Sequence, residues 1–164
     1  MTSQILGYAT EAMGGSLNPF TYAPPKLGEN DVRVAVTHCG VCHTDIQAID
    51  DYYGITSFPF VPGHEIVGFI SEVGTHVASL KEGDRVGIGW QARSCGQCEW
   101  CLQGETQLCM KIEDTTVMVP YGGFSTSVVA DYRFVYPLPA SMPAEIAAVL
   151  MCAGITVYSA MQTH

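Results

Sequence analysis

A chain of 164 residues with 48% hydrophobic and 14% charged residues has the make-up of one globular unit, which excludes a disordered tail and makes a disulfide scaffold unnecessary for folding. Sixteen Asp and Glu against seven Lys and Arg give a formal charge of −9 with no basic block, so the footprint that holds phosphates is missing and no nucleic-acid partner is expected. The first residues lack a basic region followed by an apolar one, and no uninterrupted apolar run reaches the ~20 residues of a bilayer span, so the expectation is a soluble, cytoplasmic chain with no membrane partner.

In chain order, residues 32–36, 65–70, 85–90, 124–130 and 134–136 are short apolar runs rich in β-branched side chains and read as strands. Residues 44–50 and 143–151 read as helices, the second with Pro143 in its first turn. The fold class expected is mainly β, a partly open barrel over about residues 5–138 with a helical segment after it. Residues 155–164 continue an apolar helical pattern to the last residue without a cap, which predicts a chain cut within a larger protein.

Seven cysteines, an odd number, with Cys95, Cys98, Cys101 and Cys109 crowded together, argue against a disulfide framework and for metal binding in a reducing compartment. Four soft ligands at this spacing suit tetrahedral zinc; a closed shell leaves no place for water or substrate, so the site is expected to be structural. A redox Cys-x-x-Cys pair and an iron–sulfur cluster are the competing readings, and nothing nearby suggests the thioredoxin-like context of the first. Cys42, His64 and Cys152 stand far apart, and spacing alone does not join them. By composition Cys152 reads as a core thiol and His64 as a turn histidine.

The segments Cys39-Gly40-Val41-Cys42-His43-Thr44-Asp45, Pro62-Gly63-His64-Glu65-Ile66-Val67-Gly68, Lys81-Glu82-Gly83-Asp84-Arg85-Val86-Gly87, the four-cysteine stretch, Tyr121-Gly122-Gly123-Phe124-Ser125 and Cys152-Ala153-Gly154-Ile155-Thr156-Val157-Tyr158 together resemble the zinc-dependent medium-chain alcohol dehydrogenases. The resemblance is to the branch of cinnamyl alcohol dehydrogenases and bacterial aldehyde reductases. It implies a GroES-like catalytic domain over residues 1–164, with a structural-zinc lobe at 93–112 and, at 143–164, a helix leading toward a dinucleotide-binding domain. It implies two zincs, one held by Cys95, Cys98, Cys101 and Cys109, the other by Cys42, His64 and Cys152 with one position open for an alcohol or carbonyl oxygen. Cys39 is left as the free thiol.

By the same resemblance Asp45 orients His64, Glu65 stands beside the metal as an exchange ligand, and Thr44 hydrogen-bonds the substrate oxygen. His43 and Thr156 contact the cofactor, NADP or NAD, and Tyr53 and Trp90 wall the pocket for a small alcohol or aldehyde. Family members place a relay histidine on the following helix, where this chain has Gln47 and Asp50; a proton path through water, Asp50 or the cofactor ribose stays open. No Gly-x-Gly-x-x-Gly fingerprint occurs, so a Rossmann domain is absent from this chain. The complete enzyme is expected to be a homodimer and this chain a monomer that is inactive alone. The other functions weighed are a non-catalytic zinc-binding module and a polyol dehydrogenase of the same superfamily.

Overall fold

The structure, a computed structural model, describes residues 4–116 and 121–163; the extreme ends of the expected 1–164 unit, His164 of the helical tail included, lie outside the described residues. The elements are β1 (Ile5–Ala9), β2 (Asn18–Tyr22), β3 (Asp31–Cys39), α1 (His43–Ile49), β4 (Ile66–Val73), β5 (Arg85–Ile88), β6 (Gln91–Arg93) and α2 (Glu99–Leu102). There follow β7 (Glu113–Asp114), β8 (Ser127–Asp131), β9 (Val135–Pro137), α3 (Ala144–Val149), a π turn (Leu150–Gly154) and α4 (Ile155–Thr163).

The principal sheet is antiparallel, in the order β8-β3-β4-β5-β9. Its inner face carries Val32, Val34, Ile66, Ile70, Val86 and Ile88, all 0–2% exposed; each contributes roughly 1.5–3 kcal/mol by burial. Register shifts at Arg33/Val34 and Val36/His38 between β3 and β4 bend the sheet, as bulges do. The edge strands β8 and β9 do not pair with each other, so the sheet is a curled half-barrel, matching the partly open barrel expected. The β1–β2 hairpin, which the sequence pattern did not reveal, docks on it through bridges such as Gly7 to Ser125.

Asp31 and Asp131 face each other across β3 and β8 and are both buried, an unfavourable pairing unless each finds a cation. Arg93 lies 2.7 Å from Asp31, and Arg133 lies 2.6 Å from Asp131. Arg93 closes β6 and Arg133 also donates to the Ser94 carbonyl, so these pairs anchor the four-cysteine segment to the sheet.

At the other end α3, the π turn and α4 run on without a break. Ala144–Gln162 is a single helical stretch, 11% buried, long and apolar enough to cross a membrane by length and composition. No uninterrupted apolar run within it reaches ~20 residues, as expected. Gly154, Thr156 and Ser159 interrupt the apolar run in the sequence without ending the helix. Val149, Ile155, Val157 and Met161 are among its exposed apolar side chains.

Candidate metal centres and substrate cleft

The first cluster is local. β6 and β7 pair with Arg93 opposite Glu113, and the chain between them loops out carrying Cys95, Cys98, Cys101 and Cys109, whose sulfurs all lie within 4.8 Å of one another. Between residues 94 and 112 only Ser94 and Cys109 are buried, so the lobe has no apolar core of its own. The backbone N–H groups of Cys95 and Lys111 point at Cys109 Sγ, each at 3.4 Å. Backbone donors of Gln97 and Cys98 bring the Cys95 thiol down to about 6, while Cys98 rises to about 11. A thiolate held in this way is the form that binds metal.

The second cluster is assembled from three distant segments. Cys42 caps the N-terminus of α1, His64 lies on the chain entering β4, and Cys152 sits in the π turn. Cys42 Sγ lies 3.9 Å from Cys152 Sγ, and His64 Nε2 lies 3.3 Å from the same sulfur. With the buried Glu65, the donor atoms of Cys42, His64 and Cys152 fall within 4.8 Å. Two thiols, an imidazole nitrogen and a carboxylate suit a zinc ion.

Asp45 holds this cluster together. It accepts from the Cys42 N–H at 2.9 Å and from the Gly63 N–H at 3.0 Å, and it lies 2.9 Å from His64 Nδ1. A carboxylate 2% exposed is tolerable only with such partners. With Nδ1 engaged, His64 Nε2 is the nitrogen turned to the sulfurs. Gly63 has φ +109°, a backbone that favours glycine, and a Cβ there would meet the Phe124 backbone and Cys39 Sγ. Gly40 leaves room for Glu65, whose Oε2 a Cβ would overlap. Sequence reading passed over both glycines; their place beside Cys42 and His64 was the available signal.

Burial raises the Cys42 thiol, but the backbone and hydroxyl of Thr44 together with His64 outweigh it, so Cys42 lies below the ordinary thiol value. Cys152 is pushed up to about 12 by burial and then by Cys42. Cys42 is thus the first of the pair to ionise. Burial lowers His64, yet the hydrogen bond that it donates to Asp45 more than reverses this, and burial raises Glu65.

Other expected site residues fall around this centre. Thr44 Oγ1 is 3.7 Å from Cys42 Sγ. His43 is exposed at the start of α1. Thr156 donates to the Cys152 carbonyl at 2.8 Å. Trp90 and Thr156 line a cleft of about 800 Å³, together with Gln91, Thr106, Gln107 and Met151. Tyr53 does not line that cleft; its hydroxyl donates to Gln47 Oε1 at 2.9 Å on α1. Cys39 stands outside both clusters, pushed up to about 12 by burial.

The family model for the alcohol dehydrogenase GroES-like domain matches residues 28–140. The chain is 44% identical to a probable cinnamyl alcohol dehydrogenase 6 of Oryza sativa subsp. japonica, over 99% of this chain and 47% of that protein. It is 39% identical to cinnamyl alcohol dehydrogenase 8 of Arabidopsis thaliana, over 100% of this chain and 47% of that protein. Among solved structures it superposes on a cinnamyl alcohol dehydrogenase from Sorghum bicolor with a TM-score of 0.92 and 37% identity, covering 98% of this chain and 48% of that one. A cinnamyl alcohol dehydrogenase from Helicobacter pylori complexed with NADP(H) gives a TM-score of 0.92 and 33% identity, covering 99% and 49%. The chain spans about half the length of the curated relatives it matches. With the fold, the two ligand clusters and these likenesses in agreement, the chain belongs to the zinc-dependent medium-chain alcohol dehydrogenases, as a member of the alcohol dehydrogenase GroES-like domain family.

Proposed function

We propose that this chain is the metal-binding, substrate-handling portion of an enzyme that interconverts primary alcohols and aldehydes, aromatic or aliphatic, with NADP or NAD held by a separate dinucleotide-binding portion. The observation that carries the reading is the convergence of Cys42, His64, Glu65 and Cys152. A lobe-only zinc module has no use for an Asp45–His64 pair buried beside two further thiols.

Cys42, His64 and Cys152 hold one zinc, and Cys95, Cys98, Cys101 and Cys109 hold the other. At the open site the metal supplies Lewis acidity toward an alcohol or carbonyl oxygen. Asp45 fixes the His64 ring, so the site keeps its shape between turnovers. Glu65 stands where an exchange ligand is needed. The Thr44 hydroxyl accepts the proton of an alcohol and donates to the oxygen of an aldehyde. Because Gln47 stands where the family places a histidine, the proton would leave through water or Asp50, or through the ribose of a cofactor when one is bound. His43 would face the cofactor pyrophosphate, Thr156 its nicotinamide, and Trp90 the substrate's apolar part.

The exposed apolar side chains of α3 and α4 are the surface against which the dinucleotide-binding portion packs. That assembly is a cytoplasmic homodimer, while the present chain alone is a monomer. It turns over poorly, since hydride transfer needs nicotinamide near van der Waals contact with the substrate carbon.

Metal content by atomic emission tests the proposal. The chain purified without chelator binds two zincs, and His64→Ala removes one while leaving the lobe loaded. A single zinc in the unaltered chain overturns the catalytic assignment, and NADPH oxidation with an aromatic aldehyde by the chain alone overturns the division of labour.

A further inference from the structure

The cleft beside Trp90 is built from parts that have no common origin in the chain. One wall is the turn after β5 and the start of β6, a second is the π turn with α4, and the third is the turn at Thr106 and Gln107. That turn lies in the four-cysteine lobe, between Cys101 and Cys109.

Thr106 is tied across the cleft by a reciprocal pair. Gln91 Nε2 donates to the Thr106 carbonyl at 3.1 Å, and Thr106 Oγ1 donates to Gln91 Oε1 at 3.4 Å. Gln107 lines the cleft; its Nε2 donates to Glu105 Oε2, and an amide oxygen is an acceptor. The turn therefore lies between Cys101 and Cys109 and is tied to β6 through Gln91.

We propose that the lobe is also a specificity element. The Gln107 amide oxygen accepts a hydrogen bond from a hydroxyl on the ring of an aromatic alcohol or aldehyde lying against Trp90, and Gln91 and Thr106 are positioning residues that hold Gln107 there. This rests on the dehydrogenase reading above. It assigns the lobe a direct part in substrate choice, beyond folding. A polar group placed to meet a substrate hydroxyl discriminates more sharply than an apolar wall does.

The test uses the zinc-loaded chain with Trp100→Phe, which leaves Trp90 as the sole tryptophan, and follows its fluorescence against cinnamyl alcohol and 4-hydroxycinnamyl alcohol. Gln107→Ala, and Gln107→Leu as a second variant of similar size, weaken the ring-hydroxylated alcohol about fivefold and change cinnamyl alcohol by less than about twofold. Gln91→Ala loses the same discrimination while zinc content stays at two, a change that a purely structural role would not produce. An unchanged ratio of the two affinities in these variants, or no Trp90 response in the parent chain, overturns the proposal. Cobalt placed in the Cys42-His64-Cys152 site separates the two readings. If its absorption responds to either alcohol while the Gln107 variants keep the ratio, the dehydrogenase reading stands and the lobe's role in specificity falls; if it never responds, the dehydrogenase reading falls as well.

Discussion

The two ligand clusters solve the same coordination problem by opposite routes. In the lobe the four thiols come from one short stretch of chain, the surrounding residues are mostly exposed, and backbone N–H groups tune the sulfurs. In the second cluster the sulfurs of Cys42 and Cys152 are 110 residues apart in sequence, and buried side chains, Asp45 above all, do the tuning. A local site depends on its metal for structure, whereas an assembled site depends on the fold and lends it little. Metal ought therefore to be a folding component at the first and a removable guest at the second.

The largest expected effect comes from breaking the first. Cys109→Ser removes the one buried thiol of the lobe and with it most of the metal affinity, which in small structural zinc sites amounts to about 10–16 kcal/mol of apparent binding energy. Loss of one zinc per chain and protease cleavage between residues 94 and 112 are expected, with the principal sheet retained by circular dichroism. Global unfolding instead would show that the lobe supports the sheet and would erase the contrast.

Next is Asp45→Ala. It strands the Cys42 and Gly63 N–H groups and releases His64, costing about 3 kcal/mol and lowering affinity at the assembled site about 10–100-fold. Chelator titration with two resolved phases reads it directly: the weaker phase moves and the lobe phase does not. A smaller change follows from Gly63→Ala, where strain at positive φ and contact with Phe124 cost roughly 1–3 kcal/mol. Urea denaturation should show lower stability, again with lobe zinc intact.

The smallest concerns Cys39, which neither cluster uses. Burial raises its folded-state value above that of the unfolded thiol, from 9 to about 12. The folded chain therefore holds this proton more tightly, so the associated stability is complete below pH 9 and is lost as pH climbs from 9 toward 12. Melting temperatures across that window should fall more steeply for the parent than for Cys39→Ala. Equal slopes would mean that the metal-site thiols dominate the alkaline limb.

The same contrast explains what could be read in the sequence. The lobe's cysteines declare themselves by spacing, because their spatial neighbours are also their sequence neighbours. Cys42, His64 and Cys152 do not; only resemblance to known dehydrogenases joined them, since convergence of segments over such distances is a property of the folded sheet. The β-branched runs of β3, β4 and β5 were legible because both neighbouring strands and the core demand them. The β1–β2 hairpin was not, since the inward positions Gly7 and Ala9 are small and give almost no hydrophobic alternation. The strand expected from Phe124 starts at Ser127 instead, because Phe124 and Ser125 are taken up by bonds to Tyr8, Pro62 and the β1 bridge.

The π turn at Leu150–Gly154 has an evolutionary corollary. A wide turn holds one residue more than an ordinary helical turn, and each residue in a helix advances the direction of a side chain by about 100°. Deleting a single residue here would leave a regular helix with α4 still on its face, but it would remove the widening that carries Cys152 to 3.9 Å from Cys42 Sγ and 3.3 Å from His64 Nε2. Lineages carrying this segment should thus accept changes of residue type at turn positions other than Cys152 more readily than changes of length, and an alignment gap there would mark a descendant whose Cys152 no longer meets Cys42 and His64.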